Sequence, residues 1–125
     1  MNPIVDEWIK KAEGDWTSAY REYRARKKPN YDAACFHAQQ CAEKYLKAFL
    51  QHNEKPFPKT HNLIELLELA LPLDSNLELL RDLLVMLNRF AISFRYPGEE
   101  ANKPQAKKAL EALTIVRQSI RGYFE

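Results

Sequence analysis

Three short stretches of this chain combine cations, an imidazole and carboxamides at spacings that could serve chemistry. Lys59-Thr60-His61-Asn62 stands just ahead of an apolar helical pattern, where the first backbone N–H groups lack partners and the helix dipole favours an anion. Lys59 and His61 are therefore candidates to meet a phosphate. The plainer reading has Thr60 cap the helix while His61 packs or hydrogen-bonds locally. Arg95-Tyr96-Pro97-Gly98 closes another helical run, with Arg95 at the margin of its apolar side. An arginine placed there needs a partner: a polar pocket and its ligand, the carbonyls of its own helix end, or a salt bridge to Asp15 or Glu43. Tyr96 offers a stacking face, and with Pro97 it also shapes a turn. The third stretch is Gln39-Gln40-x-x-Glu43-Lys44-x-x-Lys47, in which Glu43 and Lys47 have the i,i+4 spacing that stabilises an exposed helix by about 0.3 kcal/mol.

Other chemistries find little support. The histidines are His37, His52 and His61, and the cysteines are Cys35 and Cys41. Residues six apart on a helix point roughly 120° apart, so the two thiols cannot bridge within one helix. They read as small core residues of a reducing compartment. Without CxxC, HExxH or another close ligand set, no metal site and no cofactor is expected. His37 and His52 read as solvated. A net charge of +2 does not by itself mark a nucleic-acid binder. Arg21, Arg24, Arg26, Lys27 and Lys28 do form a local basic segment, suited either to steering RNA or to the negative end of a helix dipole. No apolar run approaches the roughly 20 residues of a membrane span, and the first residues carry no secretory apolar block. The expectation is a cytoplasmic protein without membrane contact.

These residues must be held by helices. Three glycines, no alternating strand pattern and apolar residues recurring at three- and four-residue steps predict an all-α chain. Its 125 residues suit a single domain, 1–125, able to bury a core without staples. A first helix is expected from about Asn2 to Arg26, with Trp8 and Trp16 as core or interface anchors, and a second from Tyr31 to Asn53. Pro56 and Pro58 enforce an extended loop. Asn62 or Thr60 starts a short third helix ending near Ala70, with Asn62 and Glu65 in capping-box spacing. Pro72 and Asp74-Ser75 restart the chain into a fourth helix closed by Arg95–Gly98, and a fifth is expected from Pro104 to Tyr123. Four long helices and one short one, with short connections, predict an antiparallel up-and-down bundle.

The second helix writes two faces. Ala34, Ala38, Cys41, Ala42, Tyr45, Ala48 and Phe49 share a broad apolar side, which must be core. Opposite them, Phe36, Gln40, Glu43, Lys47 and Leu50 form a polar stripe with an apolar residue at each end. An ordinary solvated face would be polar throughout, so this flank is a candidate seat for a second protomer.

The three motifs, in their order and on these elements, resemble the HEPN domain family over nearly the whole chain; Asp15-Trp16 in the first helix and the alanine-rich last helix fit the same pattern. The resemblance implies an antiparallel helical bundle that forms a homodimer, in a prokaryotic protein paired with a minimal nucleotidyltransferase in toxin-antitoxin fashion. It also implies a link to nucleotide or RNA. Many members are ribonucleases with an Arg-x4-6-His motif, in which the cation stabilises phosphorane charge and the imidazole handles a proton. Here no histidine follows Arg95, so that chemistry does not carry over. The expectation is a homodimeric, nucleotide-associated interaction module in which Lys59, His61, Arg95 and Tyr96 make the nucleotide contacts. The alternatives are a ribonuclease toxin with a divergent site around Arg95, Glu99 and His61, and a purely structural adaptor.

Overall fold

Each predicted helix forms, and asparagine side chains start most of them. The computed structural model describes residues 2–125. It comprises α1 (Pro3–Arg24), α2 (Tyr31–His52), α3 (Leu63–Ala70), α4 (Arg81–Ser93) and α5 (Lys103–Arg121), with 3-10 turns at Ser75–Leu80 and Gly122–Phe124. Asn2, Asn30 and Asn62 accept from the backbone N–H groups of Ile4, Ala33 and Ile64 at 2.8, 2.9 and 2.9 Å, satisfying donors that a helix start leaves open. At α5 the cap is reciprocal: Asn102 Oδ1 accepts from Gln105 N at 2.8 Å, and Gln105 Oε1 accepts from Asn102 N at 2.9 Å.

The box expected at Asn62 and Glu65 is only half formed. Glu65 accepts from Thr60 Oγ1 at 2.8 Å, and Thr60 Oγ1 in turn accepts from Asn62 N at 3.1 Å. Thr60 thus takes the place that the glutamate would fill. The fourth helix also begins differently from the expectation. Asp74 caps a 3-10 turn first, because Leu77 and Leu80, three residues apart, are both buried and a three-residue period points both inward. Gly98, at φ +89°, makes the turn that redirects the chain from α4 toward α5, a conformation in which a Cβ is strained.

No strand occurs among the described residues. The helices form an up-and-down bundle with α2 at its centre, packed by α1, α3, α4 and α5. Trp8 near the start of α1 lies against Lys47 near the end of α2, whereas Tyr23 and Tyr31 meet at the other end, so the two helices run antiparallel. The apolar side read from the sequence of α2 is buried throughout, but so is every residue from Tyr45 to Leu50. The core draws on all five helices, with Tyr45, Leu46, Leu66, Leu84 and Leu113 among its fully buried side chains. Trp16 packs on it half-buried.

Candidate functional site

The polar residues of α2 are shared between two clusters on its flanks. On the α1 side, the buried Asp15 carboxylate accepts from Lys44 Nζ at 2.5 Å and from His37 Nδ1 at 2.9 Å. His37, read from the sequence as solvated, is therefore half-buried and engaged. The pairing joins residues 22 positions apart, so no local spacing announces it.

The second cluster centres on Glu43. Its carboxylate accepts from Lys47 Nζ at 3.0 Å, from His61 Nδ1 at 3.1 Å and more distantly from Gln40 Nε2 at 3.4 Å. Gln39 Nε2 donates to the His61 carbonyl at 2.7 Å and Gln40 Nε2 donates to Gln39 Oε1 at 2.7 Å. Asn88 on α4 completes the seam, donating to Asn62 Oδ1 at 2.8 Å and accepting from Leu63 N at 3.1 Å. Lys47 Nζ also lies 5.4 Å from the centre of the Trp8 ring, which meets Phe57 from the proline loop in an edge-to-face contact with centroids 6.2 Å apart. A charged pair this enclosed persists because its hydrogen-bonding groups are matched.

This arrangement corrects the expected dimer flank. Glu43 is 2 % exposed, Lys47 6 % and Leu50 fully buried within the single chain, so these three have no surface to offer a second protomer. The physical reason is the segment between α2 and α3. Phe57 lies on Trp8, His61 on Glu43 and Asn62 on Asn88, so the loop folds back over the flank it was expected merely to leave. Of the five candidates, Phe36 and Gln40 alone keep appreciable exposure, Phe36 at 39 % and Gln40 in part.

The nucleotide candidates divide similarly. His61 is pinned through Nδ1 while its side chain remains 80 % exposed, so the other ring nitrogen faces solvent. Thus His61 does hydrogen-bond locally, with Asn62 rather than Thr60 as the cap. Lys59 and Tyr96 are exposed. Arg95 takes neither proposed salt bridge: Asp15 pairs with Lys44 and His37, and Glu43 with Lys47 and His61. Its guanidinium carbon sits 5.9 Å from the centre of the Phe36 ring, in cation–π range, and makes no ion pair among the described residues. Arg95, Phe36, Phe94, Ala91 and the N-terminal turn of α2 line an open groove of about 320 Å³, at the small end of the range for ligand sites. Asp32 in that groove accepts from Ala101 N at 2.7 Å, tying the Arg95–Gly98 turn region to α2.

A polar network outside the sequence-derived site joins α1, α2 and α5. Arg117 grips Glu13 through Nε at 2.8 Å and Nη2 at 2.6 Å, and Tyr45 Oη donates to Glu13 at 2.5 Å. The paired Arg117 holds the Glu13 carboxyl below its usual range, while burial pushes Tyr45 up to about 12. Arg117 also stacks over Trp16 at 4.4 Å. These contacts satisfy one another and fasten three helices. No cluster of three or more metal-ligating side chains occurs among the described residues, and no helix is long and apolar enough to cross a membrane.

Comparison with known proteins agrees with this architecture. The crystal structure of an archaeal HEPN homologue superposes with a TM-score of 0.73 at 22 % identity, covering 97 % of this chain and 98 % of that one. No curated protein matches. The profile of the HEPN domain matches residues 5–123, nearly the full length, and on that match the chain belongs to the HEPN domain family.

Proposed function

We propose that this protein is a nucleotide- or RNA-associated interaction module that works as a homodimer beside a minimal nucleotidyltransferase, in a toxin-antitoxin type of pair. The observation that carries the nucleotide part is the state of Arg95. Lys44, Lys47 and His61 each face a carboxylate, whereas Arg95 lies over an aromatic ring at a groove with its N–H donors uncommitted among the described residues. A phosphate would complete it through charge-assisted hydrogen bonds. Tyr96, exposed next to it, supplies a face for a base. The same end of the bundle holds the exposed Arg26, Lys27, Lys28, Lys103, Lys107 and Lys108, a local positive field that draws a polyanion despite the low net charge.

Calorimetry with a panel of nucleotides and short RNAs tests this reading. Binding is expected to weaken as salt rises, and Arg95→Ala to lower affinity by about tenfold or more, the worth of one charge-assisted bond. Heat unchanged by that substitution would remove Arg95 from the site. No heat at all, with a protein partner still captured, would favour the structural adaptor. One observation favours a ribonuclease instead: His61 is oriented by a buried carboxylate with its second nitrogen in solvent, an arrangement suited to proton transfer. Labelled RNA cut by the native protein and left intact by Arg95→Ala would establish that alternative.

A further inference from the structure

With Glu43, Lys47 and Leu50 buried by the chain's own loop, a second copy needs a different seat, and the outer side of α4 has the features of one. Opposite the buried Leu84, Leu87 and Ala91, the α4 residues Asp82, Val85, Arg89 and Ile92 follow Leu79 of the preceding 3-10 turn at steps of three and four. Leu79 is 85 % exposed, Val85 43 % and Ile92 57 %. An apolar helix face open to water over this length is unusual for a chain with no partner. Asp82 and Arg89 are exposed between these apolar residues and make no ion pair among the described residues. Their neighbours Glu78 and Arg81 are already joined to each other.

The order of these residues selects the occupant. When two copies of α4 lie antiparallel about a two-fold axis between Val85 and Met86, each Asp82 faces the partner's Arg89. The same register sets each Leu79 against the partner's Ile92, and the two Val85 side chains flank the axis. Charge meets opposite charge and apolar meets apolar in one alignment. A parallel pairing would stack Asp82 on Asp82 and Arg89 on Arg89. Self-complementarity of this kind is what an isologous interface requires, and complementary charge fixes register as well as partner. We infer that the outer face of α4 is the homodimer interface, formed antiparallel with reciprocal Asp82–Arg89 pairs. The inference rests on the homodimer reading above and adds its surface and alignment. From Asp82 to Ile92 the stripe runs about 15 Å, a narrow contact, so the dimer is expected to dissociate on dilution.

Sedimentation across a concentration series, with circular dichroism to verify folding, decides the matter. Asp82→Arg and Arg89→Asp are each expected to weaken the dimer by about tenfold or more, and the combined Asp82→Arg/Arg89→Asp chain to recover most of the loss. Val85→Cys supplies a second readout that does not depend on these charges. Cys35 and Cys41 are buried, so mild oxidation should yield a disulfide-linked dimer through position 85 alone. A dimer indifferent to both charge reversals, or one in which Val85→Cys fails to cross-link, would overturn this interface and leave the homodimer standing. A monomer at every concentration would overturn both.

Discussion

At the scale of single residues, the buried pair Glu43–Lys47 is the most consequential departure from what spacing alone implies. Two residues four apart on an exposed helix stabilise it slightly, but the same two enclosed by Trp8, His61 and Gln40 are charges removed from water. Removing one partner leaves the other desolvated and uncompensated. Glu43→Leu is therefore expected to cost about 3–5 kcal/mol, and adding Lys47→Met to restore at least half of it. Urea denaturation of the three variants measures this, and a Glu43→Leu loss under about 1 kcal/mol would mean that the pair behaves as a solvated one. Glu13 gives a pH-dependent counterpart. Its folded carboxyl is held below the ordinary range by Arg117, so its contribution is complete above the unfolded value. It then fades as pH falls from about 4.3 through the depressed folded value. Glu13→Gln should lower the melting temperature at neutral pH and approach the native protein under acid; a constant difference across pH would contradict that linkage.

At the scale of elements, the segment between α2 and α3 matters more than its lack of regular structure suggests. Its prolines prevent a helix, yet Phe57, His61 and Asn62 each dock at a separate place on α1, α2 and α4. Phe57→Ala should uncover part of the Trp8 ring, shift the tryptophan emission toward longer wavelength and destabilise the fold by about 1–3 kcal/mol. Unchanged emission would show that the loop does not shield Trp8. The helix starts were legible because their signals are local: a capping side chain bonds a backbone group two or three residues away. The 3-10 entry to α4 was not, since its period follows from which side of Leu77 and Leu80 the rest of the molecule covers.

At the scale of the whole molecule, α2 is enclosed by four other helices, and its two thiols are enclosed with it. Burial pushes Cys35 up to about 12 and raises Cys41 as well, so neither supplies thiolate near neutral pH. Both should resist an aromatic disulfide reagent in the native state and react fully in denaturant; rapid native labelling would place them nearer the surface. The sequence by itself determined the helix count, the apolar side of α2 and the residues of the HEPN resemblance, because helical periodicity, caps and motif spacing operate over a few residues. Tertiary structure decided what the polar residues do: His37 was given to Asp15, the expected dimer flank went under the chain's own loop, and Arg95 was left without a carboxylate among the described residues. Those outcomes depend on contacts between side chains 18 to 59 positions apart, from His61–Glu43 to Arg95–Phe36, and on which cations each carboxylate meets. A one-dimensional pattern lists the charges, but only packing removes the water that would otherwise make their pairing optional.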